Sequence, residues 1–206
     1  YMQDMDILLD LVNYYTKPYP NIEVLDGRKK EQYLFNNQRT GIYKTSIENL
    51  KHDQVKLFFN DKNGGFRVDE NCVNKDNTNY VPLFFSPNAI TLSNNIQIVL
   101  RFNGDPEEIH KNFDFIHATN YFTFKEGLVT NKQALESLLT KQLKYQGSLY
   151  PLTSIIRMKK FIKRGWNINA GEILKIMFQI SDLDLKDPNV LEEQLIGVDV
   201  AFFQKL

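Results

Sequence analysis

The apolar residues of this chain change their spacing partway along, and that change limits the folds open to it. Between residues 54 and 124 they tend to alternate with polar ones, as in strands with one buried face. From residue 132 they recur at intervals of three and four, the period of amphipathic helices. A chain of 206 residues divided in this way can build one sizeable core or two small lobes. The pattern predicts an α+β fold, a mixed β-sheet with helices followed by a helical C-terminal region. The change of texture falls near 126–131, which gives residues 1–128 to the α/β core and 129–206 to the helical region.

The opening segment, YMQDMDILLDLVNYY, poses a choice. Asp4-Met5-Asp6 matches the pattern by which a strand presents two metal-binding carboxylates. It also matches a helix start: Met5, Leu8, Leu9, Val12 and Tyr15 make one apolar stripe, first-turn acids suit the helix dipole, and Pro18 follows the end. The spacing predicts a helix over 4–16. Beyond it, QVKLFF (54–59) and GFRV (65–68) read as strands around the turn NDKNGG, NKDNTN (74–79) as a mobile loop, and VPLFF (81–85) and IQIVLRF (96–102) as strands. GDPEEIHKN forms a short helix with Asp105 as cap and Pro106 in its first turn. FDFIHATNYFTF (113–124) reads as a strand with Asp114, Ile116, Ala118 and Asn120 on one face. Four helices are expected within 132–145, 150–165, 170–183 and 187–206.

Several classes are excluded at this level. Lys+Arg and Asp+Glu both number 25, so any basic site must be local. The single Cys72 permits no internal disulfide and suits a reducing compartment. No apolar run approaches the roughly 20 residues that span a bilayer, and Asp4, Asp6 and Asp10 interrupt what would be a signal peptide. Walker, dinucleotide-binding and serine-hydrolase motifs are absent, and His52, His110, His117 and Cys72 lack zinc-site spacing.

Two constellations could carry chemistry. In NFDFIH, Asp114 stands between phenylalanines, where a carboxylate needs a cation or hydrogen-bond donors; an Asp at the exposed start of the strand is the plainer alternative. In GSLYPLTSIIRMKKFIKRGW, Leu152, Ile155, Met158 and Ile162 are expected to be buried. Arg157, Lys160 and Arg164 then form a basic face flanked by Lys159 and Lys163, and Gly147-Ser148 just ahead could hold a phosphate oxygen. A solvated helix face is the plainer reading there.

The order of these pieces resembles the DNA polymerase β-like nucleotidyltransferase superfamily, and in particular the nucleotidyltransferase-like proteins of tailed bacteriophages. The features are IQIVLRF, GDPEEIHKN, FDFIH and YQGSLYPLTSIIRMKKFIKRGW, so the resemblance covers 81–206 better than the first 80 residues. It implies metal-dependent transfer of a nucleotidyl group from a nucleoside triphosphate to an acceptor such as RNA, with Mg2+ as cofactor. By position Asp114 would be a catalytic, metal-binding carboxylate. Ser148, Arg157, Lys160 and Arg164 would face the triphosphate. The family's glycine turn has no counterpart, and its Asp-x-Asp strand has none unless Asp4 and Asp6 supply the metal pair. The chain starts directly in an apolar segment with Tyr1, so it is expected to be an inactive piece of a longer enzyme. The alternative is a phage binding or assembly protein on an inactive nucleotidyltransferase fold. Either way it is expected in the cytoplasm, that of the infected host if phage-encoded, with no membrane partner.

Overall fold

The computed structural model describes residues 1–2, 4–36, 41–59, 65–68 and 80–195, with backbone alone for Asn36, Ile42, Asn189, Glu192, Glu193 and Leu195. The expected turn at 60–64, the loop at 74–79, Cys72 and the last helix beyond Leu195 lie outside these residues. The fold is α+β, built of small, mostly antiparallel sheets and a helical C-terminal region. Two compact units divide it, Tyr1–Asp105 and Pro106–Leu206. The change of texture expected at 126–131 falls inside the second of them.

The first unit begins with helix α1 (Met5–Thr16), whose N-cap is Asp4: its carboxylate accepts from the backbone N–H groups of Asp6 at 2.8 Å and Ile7 at 3.2 Å. Leu8 and Val12 are fully buried, with Met5, Leu9 and Tyr15 packed beside them. Strand β1 (Ile22–Asp26) follows, then a 3-10 turn and the short helices α2 (Lys30–Asn36) and α3 (Ile42–Glu48). Strand β2 (Val55–Phe59) pairs antiparallel with β1 from Ile22↔Phe59 to Asp26↔Val55. Both faces of this ribbon are covered, as its alternation allows. Val55, Leu57 and Phe59 join the α1 cluster, while Leu25 and Phe58 pack with Tyr43, Ile47 and Leu50 of the α3 region.

Four more strands complete the unit: β3 (Phe66–Arg67), β4 (Pro82–Ser86), β5 (Ala89–Leu92) and β6 (Gln97–Val99), antiparallel in chain order. The β5 strand lies in the segment SPNAITLSNN, which the sequence reading treats as a connection. The expected strand 96–102 is correspondingly short, and its alternation holds only in part: Ile98 and Leu100 are buried, but Ile96, expected on the same face, is exposed. Backbone bonds from Val55 N–H to Leu100 O (3.3 Å) and Leu57 N–H to Pro87 O (2.9 Å) fasten β2 to this sheet.

The second unit starts with helix α4 (Pro106–His110) and departs from expectation directly afterwards. Residues 113–124 are not one strand. Phe115 makes a single antiparallel bridge to Tyr145, Ile116–Ala118 forms a 3-10 turn, and only β7 (Tyr121–Thr123) is extended, in a hairpin with β8 (Gly127–Val129). The expected two-faced assignment of 114, 116, 118 and 120 falls with the strand. Helix α5 (Lys132–Thr140), capped by Asn131, leads to β9 (Gln142–Leu143). Then come α6 (Pro151–Ile162), β10 (Asn167–Ile168), which pairs parallel with β9, α7 (Ala170–Ser181) and α8 (Pro188–Leu195). The core here gathers Phe115, Leu143, Tyr145 and Ile176, with Met158, Phe161 and Trp166 against it.

Candidate functional site

Three of the residues singled out in the sequence meet in the second unit. The backbone of 114–116 runs against 144–146, with Gln146 N–H donating to Asp114 O at 2.9 Å and Ile116 N–H to Lys144 O at 3.0 Å. Beyond Gly147, at φ 110°, this brings Ser148 beside Asp114. Ser148 Oγ donates to Asp114 Oδ1 at 3.1 Å and accepts from Tyr150 N–H at 3.0 Å. From α6, Arg157 Nη1 donates to Asp114 Oδ2 in an ion pair. The Asp114 side chain is only 3 % exposed, whereas Arg157 keeps 40 %.

This contact explains why α6 is turned relative to expectation. Its buried residues are Pro151, Thr153 and Ser154, and Arg157 is half-buried, while Ile155 and Ile162 are exposed. A charged carboxylate beneath the helix is worth more to a guanidinium than to an aliphatic stripe, while the Thr153 and Ser154 hydroxyls turn back to donate to Tyr150 O at the helix start. The basic face is thus split: Arg157 turns inward, and Lys160 and Arg164 lie exposed at the far end of the helix with Lys159 and Lys163.

Residues that sequence reasoning passed over complete the network. The Gln179 amide on α7 donates to Ser148 O at 2.7 Å, its oxygen accepts from Ser148 N–H at 3.2 Å, and it also accepts from Tyr145 Oη. Burial pushes the Tyr145 phenol up to about 12, with the Asp114 charge adding to the rise and the Ser154 hydroxyl and Arg157 opposing it. Glu172 of α7 accepts from Tyr145 N–H at 2.7 Å. A Gln or Tyr inside an apolar helical stripe was the available signal, though it does not say which partner it serves.

The arrangement does not suit a magnesium ion. Both Asp114 oxygens already accept hydrogen bonds, and a fixed guanidinium beside them repels a second cation. Among the described residues no three carboxylate, histidine or cysteine side chains converge. Asp4 and Asp6 do not form a metal pair either. Asp4 caps α1, and Asp6 accepts from Arg28 at 2.7 Å. Arg28 also holds the buried Asp26 at 3.0 Å. Burial raises the Asp26 carboxyl, but hydrogen bonds and charge from Arg28 outweigh it and leave it below the usual carboxylate range.

A second feature lies on the β7–β8 hairpin. Phe122 and Leu128 are paired across it, and together with Phe124 at its turn they face solvent at 62 %, 69 % and full exposure. The aromatic run FDFIHATNYFTF predicts a core strand for Phe122 and Phe124, and the structure instead turns both outward.

Comparison with known proteins settles the family. No solved structure matches the chain. A protein of Bacillus phage SPbetaL7, named Gabija anti-defense 2, is 21% identical over 193 residues, covering 91% of this chain and 47% of that protein. The chain thus spans about half the length of this curated relative. A sequence model described as Gad2, Gabija anti-defense 2 family protein, matches residues 1–141. These findings overturn the nucleotidyltransferase assignment and with it the transferase function: neither match is to that superfamily, and its FDFIH strand is absent here. The phage origin of this relative is the part of the resemblance that stands. The chain belongs to the Gabija anti-defense 2 family.

Proposed function

We propose that this chain is part of a phage protein that counteracts the Gabija defence, and that it does so by binding a component of that defence. The observation that carries the reading is the family match over residues 1–141, together with the name of the longer relative. Binding is favoured over chemistry at Asp114 because the carboxylate is buried and fully engaged by Ser148 and Arg157. The outward-facing Phe122, Phe124 and Leu128 supply aromatic and aliphatic anchors of the kind that dominate protein interfaces. A nucleoside triphosphate, RNA and Mg2+ are given no role in this reading. No described helix is long and apolar enough to cross a membrane, and we place the action in the cytoplasm of the infected host.

The test is plating efficiency. The phage gene product that includes this chain is expressed in a host carrying Gabija, which is then challenged with a Gabija-sensitive phage. Plaque numbers should rise by orders of magnitude towards those on a host without the defence. Plating that stays restricted while the folded protein accumulates would contradict the proposal.

A further inference from the structure

The end of α6 carries an unusual concentration of charge. No Asp or Glu occurs between Glu136 and Glu172, yet Lys141, Lys144, Arg157, Lys159, Lys160, Lys163 and Arg164 all fall there. Two of these are spent within the unit: Lys144 pairs with Glu136 at 2.8 Å and Arg157 with Asp114. Lys141, Lys159, Lys163 and Arg164 are exposed and make no ion pair among the described residues. The fold draws them together, because Asn167 N–H donates to Lys141 O at 2.8 Å and β9 lies beside β10, which ties Lys141 to the turn that follows Arg164.

Elsewhere several lysines in or beside helices are paired with an acid. Lys44, Lys111 and Lys175 each have an acid three or four positions away, Glu48, Glu108 and Glu172. At the end of α6 the three- and four-residue neighbours are other cations: Lys159 and Lys163, Lys160 and Lys163, Lys160 and Arg164. Each such like-charge pair destabilises a helix by a few tenths of a kcal/mol. The negative end of the helix dipole offsets part of this but does not call for four cations in six positions. From Lys159 to Lys163 the helix rises about 6 Å, near the roughly 7 Å axial distance of two phosphate steps along a strand. A ladder of one sign with no interleaved acid suits a repeating polyanion. The neighbouring aromatic, Trp166, is turned inward onto Phe161 and His117, so it is not placed as the interfacial anchor a lipid surface would use.

We infer that Lys141, Lys159, Lys163 and Arg164 form a docking surface for the phosphate backbone of a nucleic acid. Base sequence is not read there; the contact is electrostatic. This surface is independent of the anti-Gabija reading, and apart from Lys141 it lies outside the residues that match the family.

Fluorescence anisotropy of the chain with a labelled 20-base-pair duplex tests it. Binding at 50 mM salt should weaken with log[salt] at a slope of about −3.6, as expected for four phosphate contacts. The variant Lys159→Gln/Lys163→Gln/Arg164→Gln should bind at least tenfold more weakly and with a flatter slope, while its circular dichroism is unchanged. The control Lys111→Gln/Lys175→Gln, which removes acid-paired lysines, should bind like the parent. Absence of binding by the folded parent, equal loss in the control, or tighter binding to phosphatidylserine vesicles than to the duplex would each overturn the assignment. Loss of Gabija suppression without loss of duplex binding, or the reverse, separates this surface from the proposed function.

Discussion

Asp114 shows how far a single residue can be read from sequence and where that stops. A carboxylate between two phenylalanines needs a partner, and the sequence singles out both Arg157 and Ser148 as candidate site residues. What the spacing could not reveal was that these three serve one another. Removing either partner has unequal effects. Arg157→Met leaves a buried carboxylate without its counter-charge and should cost about 2 kcal/mol, seen as a lower midpoint in urea denaturation. Asp114→Asn keeps an acceptor for Ser148 and leaves a guanidinium that already reaches solvent, so its cost should be nearer 1 kcal/mol. His117 offers a second residue-scale check. Its ring lies 4.6 Å from Phe161 and 4.6 Å from Trp166, and its Nδ1 is buried without a hydrogen-bond partner among the described residues. Burial lowers its pKa below the ordinary 6.5, so the unfolded chain binds the proton more readily. The stability it supports is present above pH 6.5 and lost as pH falls through the folded value. Thermal melts from pH 8 to 5 should show that decline, and His117→Leu should reduce it; an identical decline in the variant would remove His117 as its source.

Elements were legible where one period ran long enough. The stripe in α1 and the helices α5, α6 and α7 follow directly from theirs, and the GDPEEIHKN helix from Asp105-Pro106. Short, doubly covered elements were not legible: β1 is buried on both faces and mixes Glu23 and Asp26 into an apolar run, while α2 and α3 are 7 residues each. The strand expected at 113–124 failed because its aromatics serve three purposes: Phe115 is core, His117 fills an aromatic niche, and Phe122 and Phe124 face out. Two element-level outcomes follow. A Cβ at Gly27 would lie 1.8 Å from Lys51 O, which accepts from Gln54 N–H within the turn, and 2.9 Å from Gln54 O, which accepts from Gly27 N–H and holds the end of β1 to the segment before β2. Gly27→Ala should therefore destabilise by about 3 kcal/mol, measured as a fall in Tm. By contrast Phe122→Ser/Phe124→Ser/Leu128→Ser should change stability by no more than about 0.5 kcal/mol, because these side chains are exposed. It should nevertheless lower plating on a Gabija host, and unchanged plating would take the hairpin out of the interface.

For the whole molecule, the sequence foretold an α+β chain with a helical end, and the structure has one. It did not foretell a division into units at Asp105, since that depends on long-range packing between segments such as β2 and the 87–100 region. Nor could it assign the family, because the pieces that suggested a nucleotidyltransferase are short motifs, and Asp114 meets an arginine where that chemistry needs metal. Family membership and the engaged state of Asp114 support one proposal: that the protein counteracts Gabija by docking, with the Asp114–Arg157 pair serving the fold. The most direct measurement is plating efficiency on a Gabija host for Asp114→Leu/Arg157→Met, which replaces the pair with apolar side chains, an exchange that is often neutral for stability. With a melting temperature close to that of the parent, this variant should restore plaques as well as the parent does. A variant that is as stable as the parent yet leaves the phage fully restricted would contradict the claim and return Asp114 to the chemistry of the site.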